Sequence, residues 1–350
     1  MKIYKKIFNE AVSIGNLLNA WDKFKKGKRQ KSDVQMFERN LEDNLFQLHQ
    51  DLISKKYRHD EYIGFYIRDP KERHIHKATV RDRVVHHAIF QCLNPIFEPT
   101  FIFTSYSCRK NKGAHKAVKQ LQILARKVQQ TYGQCFVLKC DIKKFFPTID
   151  HKILINIIAQ RIKDNDMLWL LKTNIESFSS EFSSQNNGAK GTPIGNLTSQ
   201  LFINIYMNEM DQYIKNNLRV KHYIRYTDDF VVIHYDKNYL LKTKNEIDKF
   251  LNEKLKLSLH PNKVEICKYH KGIDFLGYIT LPKARLLRTK TKRRIFRKLR
   301  QKVKQFKNNE INEESLIQSF NSYLGVLKHA NSHKLEQKLR HKLWEWLNEF

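Results

Sequence analysis

The chain has 350 residues, of which 65 are Lys or Arg and 35 are Asp or Glu, so its formal net charge is +30. This length is enough for a large core in two or three subdomains, and the excess of positive charge predicts a polyanionic partner. No stretch approaches the roughly 20 apolar residues that span a bilayer, and the N-terminus lacks the pattern of a signal peptide, so we expect nucleic acid rather than a membrane.

The five cysteines form no CxxC pair and have no zinc-binding spacing with histidine. Several lie in apolar runs, where a free cysteine packs as a small hydrophobic side chain. We therefore expect a reducing compartment, the cytoplasm, and no structural zinc.

The first 60 residues place apolar side chains at helical spacing, which predicts helices with one buried face. The basic cluster from Lys23 to Lys31 is either a solvated surface or a contact for phosphate. From Tyr62 the pattern changes to two short strands joined by a proline-containing turn. This predicted hairpin carries Arg68, Lys71 and Arg73, which are either solvated or bind an anion such as a triphosphate.

Helical spacing resumes at Val80, and we expect Pro95 to end that helix. Farther on, Cys135 to Cys140 is apolar on both faces, as in a buried central strand, and it leads into Asp141. A carboxylate buried there is unfavourable unless it is paired or bound to a metal. A helix N-cap is the other role for Asp141, but Asp150 is better placed for it.

A glycine-rich segment, residues 188–195, precedes a clear helix that begins near Asn196 or Thr198. Glycines let the backbone approach a ligand and a helix N-terminus favours phosphate, although the segment matches no P-loop. Tyr226-Thr227-Asp228-Asp229 is then predicted to form the tip of a hairpin between two apolar strands. It is either an ordinary aspartate-rich turn or a pair of oxygen ligands for a hard divalent cation.

Residues 273–279 are predicted to form one strand with a glycine at a point of close approach. From Lys283 to Lys307 there are thirteen Lys or Arg and no acidic residue, with apolar residues at helical spacing. A cationic helix with one buried seam fits the backbone of a nucleic-acid duplex, and a calmodulin-target or membrane-surface helix is the alternative. Two further helices are predicted between residues 316 and 350.

Asp141 and the Asp228-Asp229 turn are expected to meet if their strands are neighbours in one sheet. Their carboxylates would then hold two Mg²⁺ ions about 3.5–4 Å apart, as in a two-metal in-line phosphoryl displacement. Together with the net charge, this arrangement predicts nucleotidyl transfer along a nucleic acid.

On these motifs the chain resembles a reverse transcriptase over essentially its full length. Asp228 and Asp229 resemble the Y-x-D-D box of that family, and Asp141 resembles its first palm aspartate. The resemblance implies that Asp141 and Asp228 bind both Mg²⁺ ions, with the Ile142 carbonyl as an extra ligand and Asp229 in a supporting position. Lys263 resembles the lysine that protonates the leaving pyrophosphate.

The remaining expected site residues contact the incoming dNTP or the primer and template. Those assigned to the nucleotide are Arg68, Lys71, Arg73, the aromatic steric gate Phe146, Ile194 and Gly195. Those assigned to primer or template are Phe275-Leu276-Gly277-Tyr278, which resembles the primer grip, with Arg293, Arg294 and Arg297 of the cationic helix.

The segment from Ile194 to Gln200, I-G-N-L-T-S-Q, resembles the reverse transcriptases of diversity-generating retroelements rather than the Q-G form of many bacterial and intron-encoded members. That subgroup implies error-prone cDNA synthesis at template adenines and a small basic accessory variability protein (Avd). An Ile side chain cannot hydrogen-bond the nascent pair as a Gln amide can, which would lower discrimination. Alternatively Ile194 only packs, and an antiphage-defence or intron-related reverse transcriptase is the competing interpretation.

The fold class that follows is α+β, a right-hand polymerase. We expect fingers over residues 1–115 with an insert at about 155–195, a palm with an antiparallel sheet over 116–280, and a basic helical thumb over 281–350. Template RNA, the RNA/cDNA duplex and dNTPs are the expected partners. Because little sequence follows the thumb, we expect no RNase H, endonuclease or integrase domain. From another functional class, a catalytically idle RNA-binding scaffold is the alternative, which the intact aspartates disfavour.

Overall fold

A computed structural model describes residues 2–68, 72–181, 183 and 189–349. Most of the described chain is helical, and side-chain oxygens cap several helices, such as the Asp150 carboxylate that accepts the Ile153 N–H at 3.0 Å. The helices are α1 (Phe8–Val12), α2 (Ile14–Phe24), α3 (Ser32–Arg39), α4 (Leu41–Ile53), α5 (Val80–Phe97), α6 (Ala114–Tyr132), α7 (Phe145–Thr148), α8 (His151–Arg161), α9 (Asn165–Glu176), α10 (Leu197–Gln212), α11 (Lys237–Phe250), α12 (Thr289–Lys307), α13 (Glu313–Leu327) and α14 (His333–Asn348).

In the part of the chain that the structure describes, three antiparallel sheets lie among these helices. Their strands are β1 (Ile63–Ile67), β2 (Arg73–Lys77), β3 (Phe136–Cys140), β4 (His222–Tyr226), β5 (Asp229–His234), β6 (Glu265–Lys268), β7 (Ile273–Phe275), β8 (Tyr278–Thr280) and β9 (Arg285–Leu287). The central sheet has the order β4-β5-β3-β6, while β1-β2 and β7-β8-β9 form two smaller sheets. The predicted hairpins at residues 62–76 and 222–233 are therefore confirmed.

Alternate residues of the central strands enter two different hydrophobic clusters, because successive side chains of a strand point to opposite faces. Leu138 and Val232 belong to the cluster formed with α1–α5 and α8–α11. Val137 and Val231 belong to the cluster formed with α6, the β7-β8-β9 sheet and α12–α14. The central sheet is thus buried on both faces along β3, which explains why the adjacent residues Val137 and Leu138 are both apolar.

Two sequence predictions about element ends are wrong. Helix α5 continues through Pro95 to Phe97: the proline removes only its own N–H, and the Glu98 N–H still donates to the Asn94 carbonyl at the helix end. Residues 273–279 form a hairpin rather than one strand, since Leu276 and Gly277 both have positive φ, 49° and 88°, and reverse the chain between β7 and β8.

The architecture is α+β in character, with antiparallel sheets and many helices, as predicted. Within the described ranges, no helix is both long and apolar enough to cross a membrane.

Candidate active site

The three predicted acidic residues lie at one end of the central sheet. Strand β3 pairs with β5 up to Cys140 and Phe230, so Asp141 follows at the level of Asp229. Strands β4 and β5 are joined by a two-residue turn, Thr227 and Asp228, beyond the Tyr226–Asp229 pair. The predicted meeting of Asp141 with the 228–229 turn therefore follows from the strand register.

The carboxylates of Asp141, Asp228 and Asp229 are half-buried at this end of the sheet, so their negative charges repel one another. Burial and the neighbouring charges of Asp229 and Asp141 raise the pKa of Asp228 to about 6. Burial and the charge of Asp141 also raise the pKa of Asp229. The Lys263 ammonium group offsets part of this charge, because its Nζ donates a hydrogen bond of 2.7 Å to Asp141 Oδ2.

A cavity of about 250 Å³ opens beside the carboxylates. Its walls combine cationic, acidic and apolar side chains: Lys139, Asp141, Asp229, Asn262, Lys263, Glu265, Leu276 and Arg288. Arg288 was not predicted from the sequence, because it is one of thirteen basic residues spread over residues 283–307 and nothing in the sequence distinguishes it from the others. It forms an ion pair with Asp274 and donates its backbone N–H to the Gly277 carbonyl at 3.0 Å, which places it between the β7-β8 turn and the site.

The turn that carries Asp228 has a strained backbone. Thr227 has a φ of 58°, which is rare for a β-branched residue. Its hydroxyl donates to Ser107 Oγ at 2.6 Å, and its carbonyl accepts from Arg225 Nη1 at 3.1 Å. The side chain and the backbone of Thr227 are thus each held by a separate partner.

Arg225 connects that turn to a buried ion pair. Its Nη2 lies 2.7 Å from Asp211 Oδ2, and both side chains are completely buried. The Tyr223 hydroxyl donates to the same carboxylate at 2.7 Å, and Asn204 links Arg225 to the Ser107 carbonyl, with hydrogen bonds of 3.3 and 3.0 Å. This network was not predicted from the sequence. The available signal was Arg225, a charged residue on the same face of β4 as the buried Tyr223.

The predicted nucleotide residues on the glycine-rich segment lie against β2 and α7. The Ile194 carbonyl accepts the His76 N–H at 3.4 Å, and the Phe146 carbonyl accepts the Thr192 N–H at 2.9 Å. Gly195 has a φ of 121°, and a side chain there would come within 3.2 Å of Ile75. The structure therefore brings Phe146, Ile194 and Gly195 into one region with the β1-β2 hairpin.

The predicted cationic contacts on that hairpin are exposed. Arg68 is 85% exposed at its side chain and lies 3.7 Å from Glu72 in a surface ion pair. Arg73 is exposed as the first residue of β2 and pairs in register with Ile67. Lys71 lies outside the described residues.

The predicted primer and template residues divide into buried and exposed ones. Phe275 and Tyr278 are buried in the second hydrophobic cluster, so only Leu276 and Gly277 lie at the tip of the turn. Helix α12 buries Ile295, Leu299 and Val303 on one face. Arg293 and Arg297 are exposed and Arg294 is half-buried.

The donor set fits magnesium chemically. Carboxylate oxygens are the ligands that Mg²⁺ prefers, and a divalent cation would offset the burial and the repulsion between carboxylates that raise the pKa values of Asp228 and Asp229. The backbone bridge between Ile142 and Leu259 uses the groups of neighbouring residues, so it does not occupy the Ile142 carbonyl. Among the described residues, no group of three His, Cys, Asp or Glu side chains is arranged to hold a metal ion in this conformation.

Comparison with known proteins identifies the family to which this chain belongs. Residues 67–280 match the family model of reverse transcriptase (RNA-dependent DNA polymerase). The chain is 27% identical over 232 residues to Protein YkfC of Escherichia coli (strain K12), covering 57% of this chain and 61% of that protein. It is 24% identical over 270 residues to the Group II intron-encoded protein LtrA of Lactococcus lactis subsp. cremoris, covering 59% and 44%.

A third relative is the Putative COX1/OXI3 intron 2 protein of Saccharomyces cerevisiae, 24% identical over 257 residues that cover 57% of this chain and 29% of that protein. The chain thus spans less than two thirds of the length of each of these relatives. Since the family model covers more than half of the 350 residues, the chain belongs to the reverse transcriptase family.

Proposed function

We propose that the protein is an RNA-directed DNA polymerase that extends a primer 3′-OH by attack on the α-phosphate of a dNTP. The observation that carries this proposal is the position of Asp141 beside the Asp228-Asp229 turn, at one end of neighbouring antiparallel strands. Membership of the reverse transcriptase family supports it. The idle scaffold has no comparable support, because it gives no reason for like charges to be held together in a half-buried position.

Asp141, Asp228 and Asp229, with the Ile142 carbonyl, are the residues that would hold two Mg²⁺ ions. When bound, the metal ions supply Lewis-acid activation of the phosphate and of the attacking hydroxyl. The Lys263 ammonium group lies 2.7 Å from Asp141 Oδ2, so a short movement of its side chain would bring it to a phosphate bound at the same site. We assign it the role of donating a proton to the leaving pyrophosphate.

The nucleotide side of the site is formed by the region around the glycine-rich segment. Phe146 would exclude a ribose 2′-OH, and the backbone of Ile194 and Gly195 would lie along the nascent base pair. Arg68 and Arg73, with Lys71 outside the described residues, would contact the triphosphate. The exposed position of Arg68 and Arg73 is suited to an anion that arrives from solvent.

The nucleic-acid side of the site is formed by the β7-β8 turn and α12. Leu276 and Gly277 at the turn would contact the primer, with Phe275 and Tyr278 acting as its buried support. Arg293, Arg294 and Arg297 would bind the backbone of the RNA/cDNA duplex. On this proposal residues 1–115 are the fingers with their insert at about 155–195, residues 116–280 the palm and residues 281–350 the thumb.

Two versions of this function differ in fidelity. The I-G-N-L-T-S-Q segment supports a diversity-generating retroelement enzyme, with errors at template adenines and an Avd partner. The names of the intron-encoded relatives support an intron-related enzyme about equally. Sequencing the cDNA separates them, since errors spread evenly over the four template bases contradict the first version.

Primer extension on an RNA template tests the polymerase itself. We expect Asp228→Ala to lower the rate by at least about 100-fold, the effect of losing an electrostatic group that acts in a transition state. Asp43→Ala is the matched control, because Asp43 is an exposed carboxylate on α4, far along the chain from the sheet. Equal extension by the wild type and Asp228→Ala would leave only the RNA-binding scaffold.

A further inference from the structure

A column of stacked rings lies at the opposite end of the central sheet from the aspartates. The ring centroids of Tyr132 and Tyr235 are 4.2 Å apart, those of Tyr235 and His234 4.4 Å, and those of His234 and Tyr239 3.9 Å. The interplanar angles are 23°, 27° and 24°, so each ring faces the next. Three separate elements build this column, namely the end of α6, the end of β5 and the first turns of α11.

The outer end of the column is open to solvent. Tyr132 is 52% exposed and Tyr235 is 38% exposed, whereas His234 and Tyr239 are half-buried. Exposed aromatic rings are costly to hydrate, and these two are already arranged face to face. A further flat ring can therefore extend the column on Tyr132 without rearrangement of the protein.

Positive charges surround the same end of the sheet. His222 pairs with Ile233, the residue before His234, across β4 and β5. Burial together with the charges of Lys221, Lys127, Lys215 and His234 lowers the pKa of His222. Lys127 and Lys221 are exposed, while Lys215 donates to the Val220 carbonyl at 2.8 Å. The nearby Asp236 carboxylate is engaged as the cap of α11, where it accepts the Asn238 N–H at 2.8 Å.

We propose that this end of the sheet is a second nucleic-acid site, in which an unpaired base stacks on Tyr132 and its phosphates contact Lys127 and Lys221. Aromatic stacking combined with cations is the recognition chemistry of single-stranded nucleic acids. The six residues of β5 separate this site from the aspartates by roughly 17 Å at about 3.3 Å per residue. The site goes beyond polymerase chemistry and does not depend on it.

A binding experiment on the full chain tests this site. The chain is first saturated with a chain-terminated RNA template–primer duplex, and a fluorescein-labelled unpaired 12-nucleotide RNA is then titrated while anisotropy is followed. We expect Tyr132→Ala to weaken this second binding by about 5- to 100-fold, the range of one lost base stack, and Tyr132→Phe to bind as the wild type does. Lys127→Ala should lower the slope of log affinity against log salt by about 0.7.

Phe46→Ala is the matched control, because Phe46 is 56% exposed on α4 and has no place in the column. Primer extension by Tyr132→Ala should equal that of the wild type, which separates failure of this site from failure of the polymerase. A 12-nucleotide DNA of the same sequence shows whether the ligand is RNA alone or any unpaired strand. Unchanged RNA binding in Tyr132→Ala, or an equal loss in Phe46→Ala, overturns the proposal and leaves a protein-facing or solvated surface.

Discussion

The turn that carries Asp228 and the β1-β2 hairpin contribute to the same proposed site, but their surroundings are opposite. The turn is supported from beneath by Arg225 and Asp211, which are completely buried. All five residues of β1 are exposed, and Arg68 projects into solvent. The difference separates groups fixed before any ligand binds from groups that take their final positions when a ligand arrives.

This contrast has an energetic counterpart. The fixed turn holds like charges together and a threonine at positive φ, so the protein gives up stability there. The exposed hairpin gives up little stability, but ordering its long side chains opposes binding of the nucleotide. Changes near the turn should therefore act on folding and on rate, and changes on the hairpin should act on affinity.

The largest effect is expected from Arg225→Met. This change leaves Asp211 buried without its cationic partner, with only the Tyr223 hydroxyl still donating to it, which should lower the free energy of unfolding by about 3–5 kcal/mol. The measurement is urea unfolding followed by circular dichroism.

The double variant Asp211→Leu with Arg225→Met is the control for Arg225→Met. It removes both charges and should recover much of the stability. Primer extension should stay low in the double variant even though its stability is restored, because the Thr227 carbonyl still lacks its donor. A double variant that extends primers at the wild-type rate would contradict the positioning role of Arg225.

Asp228→Asn is expected to stabilise the metal-free protein. The folded pKa of about 6 exceeds the ordinary 3.8, so the charged carboxylate costs stability above pH 6 and the cost disappears as pH falls towards 3.8. The gain should be about 1–3 kcal/mol at pH 7.5 and close to zero near pH 4. Thermal unfolding checks this, and Mg²⁺ should raise the Tm of the wild type more than that of the variant.

Ser107→Ala should have a smaller effect. It removes the acceptor of the Thr227 hydroxyl, a loss of about 0.5–1.5 kcal/mol in the free energy of unfolding. Because the bond fixes the turn rather than the nucleotide, kcat should fall while the KM for dNTP stays constant. A rise in KM with unchanged kcat would place Ser107 on the nucleotide side instead.

Arg73→Ala should leave the stability within about 0.5 kcal/mol of the wild type, since the side chain is exposed. The KM for dNTP should rise about 10-fold, the effect of one lost charged hydrogen bond of roughly 1.4 kcal/mol. Steady-state extension at varied dNTP measures this. Arg39→Ala is the matched control, because Arg39 is an exposed arginine in the last turn of α3. A loss of stability rather than of affinity in Arg73→Ala would erase the contrast between the two regions.

The sequence predicted the parts of the site that depend on strand pattern. Two apolar runs around Asp228 and an apolar run before Asp141 were enough to place these residues at strand ends, and the strand register then followed. The resemblance to reverse transcriptases was confirmed by the family match over residues 67–280. The diversity-generating subgroup stays a proposal, because it depends on one seven-residue segment.

What the sequence could not predict depends on contacts between distant residues. Ser107 and Thr227 lie 120 positions apart, and nothing in the local pattern of either residue indicates their hydrogen bond. The side-chain directions of Phe275 and Tyr278 depended on the two positive φ angles at the turn, and Leu276 is an unusual residue for such an angle. Arg288 is distinguished from its basic neighbours only by the carboxylates that face it.

The position of β3 between β5 and β6 bears on how the chain is made. A ribosome completes β3 long before it reaches either neighbour, since β5 begins at Asp229 and β6 at Glu265. Pairing of such remote segments slows folding and leaves unpaired strand edges open to aggregation. Until about residue 270 has left the exit tunnel, β3 therefore lacks at least one of its neighbouring strands, and its backbone stays open to self-association.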